Sequence, residues 1–142
     1  MQFLHTMLRV RDLDEALRFW CDALGFVESR RSVHEAGRFT LVFLRAPDDA
    51  PGGPELELTH NWDQTEPYGG GRNFGHIAVA VEDVYAACRQ LEAHGVTILR
   101  PPRDGRMAFV RSPDAQSVEL LQRGGALLPA EPWLSRGNTG SW

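Results

Sequence analysis

The stretches HTMLRVRD (5–12) and HIAVAVED (76–83) each set a histidine seven residues ahead of an aspartate, across an alternating apolar run. Such alternation reads as a half-buried strand, and an aspartate directly after it reads as the N-cap of a helix. Beyond Asp12, the run DLDEALRFWCDALG (12–25) places Leu13, Ala16, Leu17, Trp20, Cys21 and Leu24 at helical spacing. Glu15 completes a capping-box pattern with Asp12, and Gly25 ends the run. Beyond Asp83, Val84, Ala87, Cys88 and Leu91 take the corresponding places, and Gly95 closes that helix. The two stretches are therefore the openings of two copies of one unit.

Strand patterns continue each copy in the same order. The first copy has strand-like 2–10, then 26–34, 39–45 and 55–61; the second has 74–81, 96–100, 106–111 and 117–122. His5 to Gly25 spans 20 residues, against 19 for His76 to Gly95. Each copy ends on a strand that carries a glutamate, Glu57 in ELELTHN and Glu119 in SVELLQ. The turn-rich APDDAPGGP (46–54) accounts for the longer spacing between histidine and glutamate in the first copy. The fold class expected is α+β: two tandem βαβββ modules, 1–67 and 68–127, joined near YGGGR (68–72), with a C-terminal tail at 128–142. Together they make one domain. One helix over four strands leaves the opposite sheet face uncovered, so two such half-barrel faces must close on each other, within a chain or across a dimer.

Composition bounds the function. The net charge is −4, and all 15 basic residues are arginine, a balance that disfavours nucleic-acid binding. No apolar run approaches the ~20 residues needed to span a bilayer. The opening MQFLHTMLRV lacks a basic region followed by a long apolar one, so the expected location is cytoplasmic. Cys21 and Cys88 fall on apolar helix stripes and read as packed core thiols.

Side chains two apart on a strand share a face. His5 is thus cofacial with Arg9, His76 with Arg72, and Glu57 with Asn61, which pairs a metal-type ligand with a carboxylate-binding group in each case. Two imidazoles and two carboxylates form an N/O donor set suited to a borderline divalent ion. A lone strand histidine is more often a hydrogen-bonded structural residue, and Glu55 competes with Glu57 on the same face. Recurrence of the histidine and glutamate in both copies favours the metal site. His34, His60 and His94 have no such counterpart.

The segments LHTMLRVRDLDEALRFW (4–20), ELTHNW (57–62), RNFGHIAVAVEDV (72–84) and MAFVRSPDAQSVELL (107–121) resemble signature segments of glyoxalase I, lactoylglutathione lyase, in the vicinal oxygen chelate superfamily. The resemblance covers nearly the whole chain. It implies a glyoxalase/bleomycin-resistance/dioxygenase-like fold and one divalent metal held by His5, Glu57, His76 and Glu119. It resolves Glu57 over Glu55, because the family's glutamate directly precedes a Leu-Thr-x-Asn-Trp run. It implies that Arg9, Asn61 and Arg72 bind the γ-glutamyl end of glutathione. LRPPRDGRM (99–107) resembles the loop that receives the glycine carboxylate, which suggests Arg100 and Arg106.

The reaction implied is isomerisation of the methylglyoxal–glutathione hemithioacetal to S-D-lactoylglutathione through a cis-enediolate. Glu119 and Glu57 would serve as acid–base groups, with Glu119 the principal base by resemblance. The sites would lie at the subunit interface of a homodimer. The compact loop before AFV resembles the nickel- or cobalt-activated members, with zinc the alternative. The family's Asp-Pro-Asp-Gly turn is SPDAQ (112–116) here, so Ala115 stands where a glycine is usual. Other readings are a related dioxygenase or thiol transferase, which use two histidines and one glutamate, and a metal-free small-molecule binding protein. The tail's Trp133 and Trp142 are expected either to pack on a partner chain or to fray.

Overall fold

The computed structural model describes residues 1–142. It divides into two compact units, Met1–Gly69 and Gly70–Trp142. In the first, β1 (His5–Arg9) leads to helix α1 (Leu13–Leu17), which continues as a π-helical turn over Arg18–Ala23. Strands β2 (Val27–His34), β3 (Phe39–Arg45) and β4 (Glu55–Asn61) follow. The sheet order is β1-β4-β3-β2, with β1 parallel to β4 and the other pairs antiparallel.

Local chemistry sets these boundaries. The Asp12 carboxylate accepts from the Glu15 backbone N–H at 2.9 Å, satisfying one of the helix's unpaired donors. Alternate residues Leu8, Val10, Val42, Leu44, Leu56 and Leu58 are buried with Ala16, Phe19, Trp20 and Ala23 of the helix. The helical stripe differs from the one the spacing predicts: Phe19 and Ala23 are buried, while Cys21 and Leu24 are only half so. The π-turn is the cause. Leu24 N–H bonds the Phe19 carbonyl five residues back at 3.1 Å, so the helix widens and its inward face shifts. The one-residue excess between cap and closing glycine in the first copy is absorbed here.

The second unit runs β5 (His76–Val81), α2 (Val84–Ala93), β6 (Met107–Arg111) and β7 (Ser117–Gln122). Its sheet order is β5-β7-β6, again with the first and last strands parallel. Asp83 caps α2 by accepting from Ala86 N–H at 2.9 Å, and this helix is α-helical throughout. The expected strand at 96–100 does not form; only an isolated bridge joins Arg100 to Phe109. Pro101 and Pro102 follow at once and supply no N–H to extend a ladder.

The tail is part of the second unit's core. Trp133 is fully buried within its own chain. Arg136 pairs with Glu92 of α2 at 2.5 Å, and Thr139 N–H donates to the Leu99 carbonyl at 2.8 Å. Trp133 thus packs on its own chain, and the segment is bonded to the second unit as far as Thr139.

Candidate metal centre

Each unit presents its helix-free sheet face with a histidine from the first strand and a glutamate from the last. In the first, His5 Nε2 lies 3.0 Å from Glu57 Oε2; in the second, His76 Nε2 lies 3.0 Å from Glu119 Oε2. The glutamate side chains are 12% exposed in both, and the imidazoles 40% and 44%. Strand register creates the pairs: Glu57 sits opposite Met7, two residues along β1 from His5, and Glu119 opposite Ala78, two along β5 from His76. Neither pair needs a long side-chain reach.

A phenylalanine accompanies each pair. Phe43, directly across β3–β4 from Glu57, meets the His5 ring edge-on at 5.7 Å and 84°. Phe109, directly across β6–β7 from Glu119, meets His76 at 5.5 Å and 87°. Neither phenylalanine was signalled by sequence pattern, since an apolar strand residue reads first as core; the two stand 14 (57 − 43) and 10 (119 − 109) residues before the final glutamates, and only the strand register makes them equivalent.

Glu57 and Glu55, indistinguishable by face, have separate partners. Thr59 donates its hydroxyl to Glu57 Oε1 at 3.1 Å. Glu55 is instead paired with Arg30 at 2.8 Å and takes a short hydrogen bond from the Ser29 hydroxyl. A β-bulge between Glu28 and Arg30 sets Ser29 and Arg30 together on this face, and the Arg30 guanidinium lies 3.4 Å over the Phe43 ring.

The predicted carboxylate-binding groups fall in three places. Arg9 Nη1 donates to Asn61 Oδ1 at 2.9 Å, so these two are adjacent on the open face of the first unit. Arg72 and Arg106 are exposed on the second. Arg100 is largely engaged: its Nη1 donates to the Met107 carbonyl at 2.6 Å and its Nη2 pairs with Asp104 at 2.9 Å. Burial opposes ionisation of Asp104, but the Arg100 contact and the Arg106 and Met107 N–H bonds prevail and hold its carboxyl below the usual range. That network makes 99–107 a braced loop with Arg106 outermost.

The donor chemistry fits a divalent ion. Two donors each about 2.1 Å from one ion, at right angles, would stand about 3.0 Å apart, which matches both pairs; the same spacing also suits an imidazole–carboxylate hydrogen bond. No group of three or more His, Cys, Asp or Glu side chains that could hold a metal is assembled in the single chain. The thiols offer no nucleophile: burial pushes Cys88 up to about 12 and also raises Cys21.

Comparison with known proteins extends this picture. Residues 2–120 match the family model described as Glyoxalase/Bleomycin resistance protein/Dioxygenase superfamily. The chain is 43% identical over 128 residues to a lactoylglutathione lyase of Neisseria meningitidis, covering 87% of this chain and 91% of that one. It is 41% identical over 127 residues to a probable lactoylglutathione lyase of Synechocystis, covering 86% and 95%. Among solved structures, a trypanothione-dependent glyoxalase I of Leishmania major superposes with a TM-score of 0.78 at 38% identity, covering 86% of each chain.

Proposed function

The chain belongs to the Glyoxalase/Bleomycin resistance protein/Dioxygenase superfamily, and from that premise we propose that it is a lactoylglutathione lyase. It isomerises the hemithioacetal of methylglyoxal and glutathione to S-D-lactoylglutathione. The observation that carries this reading is the twofold recurrence of a histidine–glutamate pair at 3.0 Å on a helix-free sheet face, in a chain about 40% identical to curated lyases.

His5, Glu57, His76 and Glu119 would hold one divalent ion, nickel or cobalt in our reading, with zinc the alternative. Such an ion supplies Lewis-acid stabilisation of the charge that develops on the substrate oxygens, worth several kcal/mol. The remaining work falls to this chain's residues. Glu119 takes the proton from the carbon bearing sulfur and returns it to the neighbouring carbon, so that the substrate passes through a cis-enediolate. Glu57 is its counterpart on the other side. Because each carboxylate is largely enclosed, it loses few water contacts as substrate arrives.

Arg9 and Asn61 hold the γ-glutamyl end of the tripeptide with Arg72, and Arg106 receives the glycine carboxylate more readily than the braced Arg100. Holding both ends keeps the reacting carbon against Glu119. Since each unit carries two ligands, we propose that the first unit of one protomer and the second unit of another complete a shared site in a homodimer. The cytoplasm is the proposed compartment, in keeping with two unpaired cysteines; no helix is long and apolar enough to cross a membrane.

The test is direct. Metal-depleted protein is mixed with methylglyoxal and glutathione, nickel, cobalt or zinc is added, and thioester absorbance is followed. Turnover that depends on added metal is expected; no turnover with any of the three ends the proposal.

A further inference from the structure

Two glutamates of the first unit, Glu55 and Glu57, share one face of β4. The ladder sets Glu55 directly opposite His5, and Glu57 one row further, opposite Met7. Register alone therefore favours Glu55 as the partner of His5, yet Glu57 is the carboxylate that meets the imidazole. Both oxygens of Glu55 are engaged elsewhere. Its Oε2 pairs with Arg30 Nη2 at 2.8 Å, and its Oε1 accepts from the Ser29 hydroxyl.

That engagement needs an irregular backbone. In a regular strand, residues 29 and 30 would point to opposite faces; the bulge between Glu28 and Arg30 brings both to Glu55. The second unit has neither the competitor nor the clamp. Opposite His76 stands Ser117, two residues before Glu119 as Glu55 is two before Glu57. The three-stranded sheet there lacks a counterpart of β2 to carry a clamp. A competing carboxylate and a device that occupies it thus occur together, in one copy.

We infer that Ser29 and Arg30 keep Glu55 off the divalent ion, so that the first unit delivers two ligands instead of three. The inference rests on the metal-dependent lyase reading and adds positioning residues to it. Catalytic metal sites keep open positions for substrate, and a third donor from this unit would close one. Arg30 acts on the site through Glu55.

Cobalt binding to the full-length protein tests it, read by visible spectrum and by competition with a chromophoric chelator. Arg30→Met removes the charge while keeping an apolar stem over Phe43, and Arg30→Gln gives a second, polar replacement. Both should bind cobalt about tenfold more tightly, with an altered spectrum, because an unpaired carboxylate is released beside the ion. Both should lose kcat/KM for the methylglyoxal adduct about tenfold. Adding Glu55→Gln to either variant should restore spectrum, affinity and rate, and Arg30→Lys, which keeps a cation at Glu55, should resemble wild type. Glu55→Gln alone should leave the spectrum unmoved. Three results overturn the inference: a spectrum and affinity unchanged in both Arg30 variants, a change that Glu55→Gln does not reverse, or an altered spectrum in Glu55→Gln alone. A wild type that binds cobalt without turnover refutes the lyase reading alone, while one that binds no cobalt refutes both.

Discussion

The two units agree closely at their His–Glu pairs and diverge one ring further out. Both have a histidine 3.0 Å from a glutamate and edge-on to a phenylalanine. Yet Phe43 is covered by Arg30, which a bulge sets on that face, whereas Phe109 is covered by Trp142 from a tail with no counterpart in the first unit. The helices diverge likewise, one containing a π-turn and the other none. Duplicated sheets thus hold the register that creates the pairs, while each unit acquires separate means of shaping the surface around them. The arrangement shared by the two copies is fixed by backbone pairing; the surface around it is left to side chains that pairing does not constrain.

The sharpest way to break that symmetry is at the glutamates. If Glu119 is the principal base, Glu119→Gln should lower kcat about 10²- to 10⁴-fold, the usual contribution of a positioned general base. Glu57→Gln should cost clearly less, because it removes a ligand and the counterpart carboxylate without removing the base. Single-turnover rates at saturating nickel make the comparison. Equal losses would mean that the two units share the proton transfer evenly.

Next in size is the tail's claim to belong to the second unit. Trp133 is buried as completely as Trp20 of the first unit, and neither indole N–H has a hydrogen-bond partner. Truncating such a ring should cost about 3–5 kcal/mol for Trp133→Ala, read from urea unfolding. Trp133→Phe should cost far less, since it keeps most of the packing and removes an unpaired donor. A Trp133→Ala protein of unchanged stability would return the tail to the status of an appendage.

Much of this architecture was legible beforehand because period and caps are local. Asp12 and Asp83 cap their helices, and the two-residue alternation in HTMLRV and HIAVAV sorts buried from exposed faces as the structure has them. The cofacial pairs His5/Arg9 and Glu57/Asn61 were legible for the same reason. What pattern could not carry was non-local. The bulge at Ser29 depends on how β2 registers with β3, and Trp142's position depends on the tail's bonds from the Arg103 guanidinium and to the Leu99 carbonyl. The missing fourth strand was foreshadowed by Pro101–Pro102, a breaker outweighed by the apolar VTIL before it.

The one-residue excess in the first helix had also been visible as 20 against 19, without indicating where it would go. Removing it tests whether the π-turn is merely an accommodated insertion. Deletion of Asp22, exposed within that turn, gives the first helix the second's spacing. The chain should fold with stability changed by no more than about 1 kcal/mol, the centre of ordinary mutational effects. Collapse of the fold would show that the widened turn is needed to seat Phe19 and Trp20.

The smallest expected effect concerns the turns that feed the two last strands. In the first unit the positive φ before β4 falls on Gly52, at +80°; in the second, before β7, it falls on Ala115, at +64°. The SPDAQ turn therefore keeps a left-handed residue although the glycine usual there is absent. Ser112 holds it: its carbonyl accepts from Ala115 N–H at 2.9 Å, its own N–H donates to the Gln116 carbonyl at 2.9 Å, and its hydroxyl accepts from Gln116 N–H at 3.1 Å. An alanine in this region costs about 1–2 kcal/mol. Glycine relieves that but gives back roughly 0.5–1 kcal/mol through the greater freedom of the unfolded chain. Ala115→Gly should accordingly raise stability by about 0.5–1 kcal/mol in urea unfolding, and Gly52→Ala should lower it by a similar amount. A destabilised Ala115→Gly protein would mean that the alanine methyl makes a packing contribution larger than the strain, and that the two turns are not equivalent.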